Sequence, residues 1–125
     1  MEIKKVVVIG SGTMGSGIAA QICNANIPVT LLDLKTEISE KARERIYKSR
    51  PPLLLDKSKI NNINTGNISD DFHVVKDADW IVEAVVERID IKHNIYQKIF
   101  KERKKGAIVS SNTSSIPIKV LSQNL

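Results

Sequence analysis

The sequence predicts an α/β fold built as a doubly wound parallel sheet. Three observations carry this. Ile3 to Ile9 is an almost continuous β-branched apolar run, as in a strand buried on both faces. It leads directly into the glycine turn Gly10-Ser-Gly12-Thr-Met-Gly15. Beyond that turn, helical and strand-like patterns alternate to the end of the chain, the order expected of β-α-β units.

Taken in order, Met14, Ile18, Ile22 and Ala25 recur at helical spacing, so the first helix is expected to bury that stripe. Asn24 or Asn26 supplies a left-handed cap, and Pro28 stops the helix. Pro28 to Leu32 reads as the second strand. Thr36 to Arg50 reads as a polar helix with Ile38, Ala42 and Ile46 on one stripe, ended by Pro51-Pro52. Leu53 to Leu55 pack down on the domain, Ile60 to Thr65 forms a short strand, and Gly66-Asn67 a turn. Ser69 to Asp71 opens a helix carrying Phe72, Val75 and Ala78. Ile81 to Val86 is a third buried strand, and Ile91, Ile95, Tyr96, Ile99 and Phe100 mark an amphipathic helix closed by basic residues and Gly106. Ala107 to Ser110 is a further strand with the polar loop Ser111 to Ser115 at its end, and Ile116-Pro117 opens one more helix.

The glycine turn is more informative than its glycines alone. Gly10 permits the turn off the strand, Gly12 lets backbone approach a phosphate, and Gly15 lets the helix sit close on the sheet. The helix after them offers unpaired N–H groups and a positive dipole end to an anion. Asp33 follows Gly15 by 18 residues, at the end of the second strand, where a carboxylate can accept both hydrogens of an adenosine ribose diol. The pattern is a dinucleotide fingerprint in a Rossmann-like unit. A 2′-phosphate beside Asp33 would meet repulsion of about 4 kcal/mol at 4 Å and an effective dielectric near 20, so NAD is favoured over NADP. Lys35 is the one nearby cation in the sequence able to blunt that repulsion, and its plainer reading is a residue facing solvent.

Composition narrows the classes. With 125 residues there is room for one core, and 42% hydrophobic and 26% charged residues are ordinary for a globular chain. The net charge of +5 and pI near 9.4 raise nucleic acid as a partner. The cations are scattered, however, aromatics are only 4%, and no nucleic-acid-binding motif occurs, so none is expected. Cys23 is the single cysteine and reads as a small core residue. No signal peptide or membrane-spanning stretch is visible, and a cytoplasmic location is expected.

In an open α/β sheet, ligands bind beyond the carboxyl ends of the strands. Four such ends carry suitable groups: Gly10 to Met14, Asp33, Val85-Val86-Glu87, and Ser111 to Ser115. Together with Gly10 to Ala20, the blocks Trp80 to Lys92 and Ser111-Asn-Thr-Ser114-Ser resemble the NAD-binding domain of L-3-hydroxyacyl-CoA dehydrogenases, closest to the form fused to an enoyl-CoA hydratase. The resemblance covers essentially the whole chain and is least diagnostic from Arg50 to Ser69. It implies hydride transfer between NAD and L-3-hydroxyacyl-CoA in fatty-acid β-oxidation. It also implies that Gly10, Gly12, Thr13, the Met14 backbone and Gly15 hold the pyrophosphate and Asp33 the adenosine ribose. Val85, Val86, Glu87 and Lys92 would line the nicotinamide half. Catalytic roles fall to Ser114, which would hydrogen-bond the substrate's 3-oxygen, and to Asn112, which would place the nicotinamide or that same oxygen. Plainer readings stand beside these: Glu87 as an acid favouring the next helix start, Lys92 as a solvated helix face, and the Ser-Asn-Thr-Ser loop as a helix cap. The cations of Thr36 to Arg50 suit the coenzyme A moiety.

One departure limits the reading. The family's base is a histidine on the strand after the Ser-Asn-Thr-Ser loop, oriented by a glutamate, and removing the hydroxyl proton requires it. The sequence ends at Leu125, before that strand, and His73 and His93 read as surface residues. The chain is therefore expected to be one NAD-binding domain, residues 1–125, truncated before the family's C-terminal helical domain, which completes the acyl pocket and mediates dimerisation. It is expected to bind NAD without turnover. A related hydroxy-acid dehydrogenase on the same scaffold, or a non-catalytic NAD-binding module, are the alternatives.

Overall fold

Five parallel strands form the centre of the computed structural model, which describes residues 3–85 and 89–111, with the backbone alone at 89–92. Strand β1 (Val6–Ile9) is followed by helix α1 (Thr13–Asn24) and β2 (Val29–Asp33). Helix α2 (Thr36–Lys48) and a 3₁₀ turn (Lys57–Asn62) lead to β3 (Ile63–Asn67). A second 3₁₀ turn (Phe72–Asp77) precedes β4 (Trp80–Glu83), α3 (Ile89–Glu102) and β5 (Ile108–Ser111). The spatial order is β3-β2-β1-β4-β5, so the chain winds outward from β1 to one side and then the other. This is the Rossmann-like α/β arrangement, with its switch point between β1 and β4.

Alternate side chains of the central strands enter two cores, which is why their sequence is continuous rather than alternating. Val6, Val8, Leu31 and Val82 pack under α1 and α2. Val7, Ile9, Leu32 and Ile81 pack on the other face with Val75, Ile95 and Ile99. All of these are almost fully excluded from water, which makes this burial the main stabilising term. Cys23 is a fully buried core residue, and burial pushes its thiol up.

Several expected details differ. Residues 3–5 do not join β1; instead the Lys4 and Lys5 amides donate to the Asp79 carboxylate at 2.8 and 3.0 Å. Helix α1 buries Gly15, Ser16, Ala19, Ala20, Ile22 and Cys23, while Met14 and Ala25 are exposed, because its small residues form the face pressed on the sheet. Of the two expected caps, Asn26 takes the left-handed conformation, at φ 63, in agreement with the sequence. Gly66 and Asn67 continue β3 beside Leu32 and Asp33 rather than turning. Ser69 to Asp71 precedes a 3₁₀ turn, not an α-helix. Of Leu53 to Leu55, Leu54 alone is buried.

Candidate functional site

A cavity of about 510 Å³ opens at the carboxyl rim of the sheet, where the segments following β1, β2, β3 and β4 meet. Its geometry begins with the glycines. Gly10 has φ +105, and a Cβ there would strike the Ala84 carbonyl and lie 2.8 Å from the Val85 nitrogen. The β1 turn and the segment after β4 thus approach too closely for any side chain. A Cβ on Gly15 would run into the Gly10 carbonyl, so this glycine sets how near α1 sits to the turn. Gly12 is different. Among the described residues its Cβ would meet nothing within 4 Å, and its backbone is not left-handed, so neither their packing nor the local conformation demands glycine here. It lines the cavity, and the space beside it is open.

Gly12 is also the N-cap of α1, with no side-chain cap and no acid in the first turn. The first-turn N–H groups therefore remain available at the positive end of the helix dipole. Thr13 and Met14 complete this wall, Met14 with 61% of its surface exposed at the cavity.

Asp33 closes β2. Its Oδ2 accepts hydrogen bonds from the Ser11 amide at 2.8 Å and the Ser11 hydroxyl at 2.5 Å, and its Oδ1 from the Leu34 amide at 2.7 Å. An ionised carboxylate has about four acceptor sites, so capacity remains on the cavity side. The cation of this region is Arg45, not Lys35. Arg45 lines the cavity and donates from Nη2 to the Ser11 carbonyl at 3.1 Å, whereas Lys35 is the exposed N-cap of α2. Leu34, Ile38, Ile68 and Ile95 supply apolar walls that the sequence reading did not assign to the site. Ile38 sits in a helical stripe and read as core, but it is 39% exposed at the cavity.

On the β4 side, Val85 lines the cavity and its amide donates to Glu83 Oε2 at 2.8 Å. Glu83 is fully buried, and its Oε1 accepts from the Ser111 hydroxyl at 2.8 Å. Tyr96 also bonds to Ser111 and Glu83, and burial pushes its phenol up. This buried group was missed because an acid inside a β-branched run gives no local signal. Val86, Glu87, Asn112 and Ser114 lie outside the described residues. Lys92 lies in α3, and its side chain is likewise outside them. His73 is exposed and His93 half-buried rather than on the surface; neither lines the cavity. Among the described residues no group of His, Cys, Asp or Glu could hold a metal, and no helix is long and apolar enough to cross a membrane.

The arrangement offers open N–H groups for an anion, a carboxylate for a diol and apolar walls for an aromatic ring. A dinucleotide has groups that match these three features in sequence, and the open space at Gly12 is room that such phosphates would need. Comparison with known proteins agrees. Residues 5–125 match the family model of the 3-hydroxyacyl-CoA dehydrogenase NAD binding domain. A putative fatty acid oxidation complex trifunctional enzyme of Rickettsia felis is 45% identical over 99% of this chain and 18% of its own length. A probable 3-hydroxyacyl-CoA dehydrogenase of Deinococcus radiodurans is 44% identical over 94% of this chain and 36% of its own. The crystal structure of 3-hydroxybutyryl-CoA dehydrogenase from Escherichia coli superposes with a TM-score of 0.86 at 26% identity, covering all of this chain and 28% of that one. The chain thus spans between about a fifth and about a third of the length of these relatives. It belongs to the 3-hydroxyacyl-CoA dehydrogenase family, as an NAD-binding domain of that family.

Proposed function

We propose that this chain supplies the cofactor-binding part of an enzyme that transfers hydride between NAD and L-3-hydroxyacyl-CoA in fatty-acid β-oxidation. The observation that carries the reading is Gly12, a glycine that nothing among the described residues requires, standing open at an uncapped helix start inside the cavity. NAD, when bound, supplies the hydride acceptor. The residues of the chain bind and orient it. The first-turn amides of α1 meet the pyrophosphate, with Gly10 and Gly15 shaping the turn and Thr13 and Met14 flanking it. Asp33 accepts from the adenosine ribose, and the apolar walls exclude water from the adenine. Val85, Val86, Glu87 and Lys92 are proposed for the nicotinamide half, and Asn112 and Ser114 for the reacting oxygen. A helical C-terminal domain belongs to the same proposal, supported by the much greater length of the relatives; a homodimer and a cytoplasmic location are proposed with it.

Neither histidine of the sequence reaches the cavity, so no imidazole among these residues is placed to take the hydroxyl proton. The 125-residue chain is expected to bind NADH in calorimetry and to give no turnover with 3-hydroxybutyryl-CoA. Absence of NADH binding would overturn the cofactor reading, and ready turnover would overturn the account of the base.

A further inference from the structure

Helix α2 carries two arginines that face different tasks. Arg43 donates from Nε to the Ile63 carbonyl at 2.9 Å and from Nη2 to the Ile60 carbonyl at 3.1 Å, tying the helix to the segment that enters β3. Arg45 has a single hydrogen bond, to the Ser11 carbonyl, and no ion pair among the described residues. That carbonyl already accepts from the Ser16 hydroxyl at 2.9 Å, so the turn does not need Arg45 to satisfy it. Arg45 is exposed, lines the cavity, and keeps most of its five donors for something else.

Its position defines what that is. Ser11 is held by Asp33 through its amide and hydroxyl and by Arg45 through its carbonyl. One residue therefore separates the carboxylate that faces an adenosine ribose from a guanidinium opening on the same space. A guanidinium beside that ribose is suited to a 2′-phosphate, which it meets with a planar fork of N–H groups.

We propose that Arg45 is a specificity-determining residue that partly offsets the repulsion of Asp33 toward a 2′-phosphate, giving the chain a measurable affinity for NADPH beneath its preference for NADH. The inference rests on the reading of this cavity as the NAD site. Asp33 opposes the 2′-phosphate and Arg45 attracts it, so the two side chains set the ratio of affinities between them.

The test is calorimetric titration of the 125-residue chain with NADH and with NADPH, for wild type, Arg45→Ala, Arg45→Lys and Lys48→Ala. Lys48 is an exposed cation of the same helix, paired with Glu44 at 2.6 Å, and controls for general charge. Arg45→Ala is expected to raise the ratio of NADPH to NADH dissociation constants by about fivefold, as for loss of one partly exposed charge contact. Arg45→Lys should restore part of the ratio because the charge stays while the fork is lost. Lys48→Ala should leave it within twofold. A ratio unchanged in Arg45→Ala, or moved as far by Lys48→Ala, overturns the inference while leaving the NAD reading intact. Failure of the wild type to bind NADH at all removes the reading beneath it.

Discussion

The Ser11 amide donates to Asp33 Oδ2 at 2.8 Å, and the Ser11 hydroxyl meets the same oxygen. The carboxylate that faces the cavity is thus also the group that fastens the glycine turn to the end of β2. A carboxylate held in this way has lost its rotamer freedom before any ligand arrives, which would lower the entropy cost of the binding proposed for it. It also means that Asp33 has two jobs, and substitutions separate them.

Asp33→Ala removes both the proposed ribose acceptor and the anchor of Ser11. NADH affinity is expected to fall by about tenfold, the loss of one to two hydrogen bonds to a charged group. Asp33→Asn keeps one oxygen acceptor, so it should hold the turn better and lose less affinity for NADH while admitting NADPH more readily. Calorimetry on both variants reads this directly. Equal NADH affinity in Asp33→Ala and wild type would remove Asp33 from the site.

The three glycines of the turn make a sharper set. Gly12→Ala places a methyl group in open space, so unfolding stability should stay within about 1 kcal/mol of wild type. NADH affinity should nevertheless drop by about tenfold or more, since that space is where phosphate and backbone must meet. Gly15→Ala drives a methyl into the Gly10 carbonyl and should cost roughly 1–3 kcal/mol of stability. Thermal melts beside titrations distinguish the two. A Gly12→Ala protein that binds NADH normally would mean that the cofactor passes elsewhere.

Much of the fold was legible because β1, β2 and β4 are buried on both faces and read as unbroken apolar runs, with the striped α3 following β4. The edge strand β3 was harder. Ile63-Asn-Thr-Gly-Asn67 has one apolar residue facing a core, and its Gly66 looked like a turn signal. In the structure Gly66 marks a close approach: its Cβ would lie 2.7 Å from Asp71 Oδ2, whose carboxylate accepts from the Asn67 amide. That the glycine turn and Asp33 share one rim was legible because each is local to a strand end. Arg45 and Ile38 were not, since what brings them to the cavity is the seat of α2 over β2 and β3, a tertiary fact, and Ile68 arrives through the pairing of β3 beside β2. An arginine on a polar helix looks like any solvated charge until that seat is known.

Glu83 gives a prediction about the β4 side of the rim. Its two carboxylate oxygens hold the Val85 amide and the Ser111 hydroxyl, coupling the segment after β4 to the end of β5. Glu83→Ala leaves both donors without their acceptor in a buried place and should destabilise the fold by about 2–4 kcal/mol. Glu83→Gln can present its oxygen to the Val85 amide and its nitrogen to the Ser111 oxygen, and should recover most of the loss. Urea midpoints compare them. Identical midpoints for the two variants would show that hydrogen bonding at Glu83 is not what matters there.

At the opposite rim, Asp79 predicts how stability responds to acid. Its carboxylate is bonded by the Lys104 ammonium and by the Lys4 and Lys5 amides, and these hold its pKa down at about 2, from an ordinary value of 3.8. A carboxyl whose folded pKa lies below its unfolded value binds fewer protons when folded. Its contribution is therefore complete above about pH 5 and disappears as pH falls through the unfolded and then the folded value. The contacts it makes join the lead-in to β1, the start of β4 and the segment that enters β5, whose Ile108 amide donates to the Asp79 carbonyl at 2.9 Å. Asp79→Asn removes the charge while keeping an oxygen for the amides. The variant should be less stable than wild type at pH 7, and the gap between the two urea midpoints should narrow steadily from pH 5 to pH 2. A gap that stays constant over that range would mean that the ionised form of Asp79 contributes nothing that its amide analogue does not.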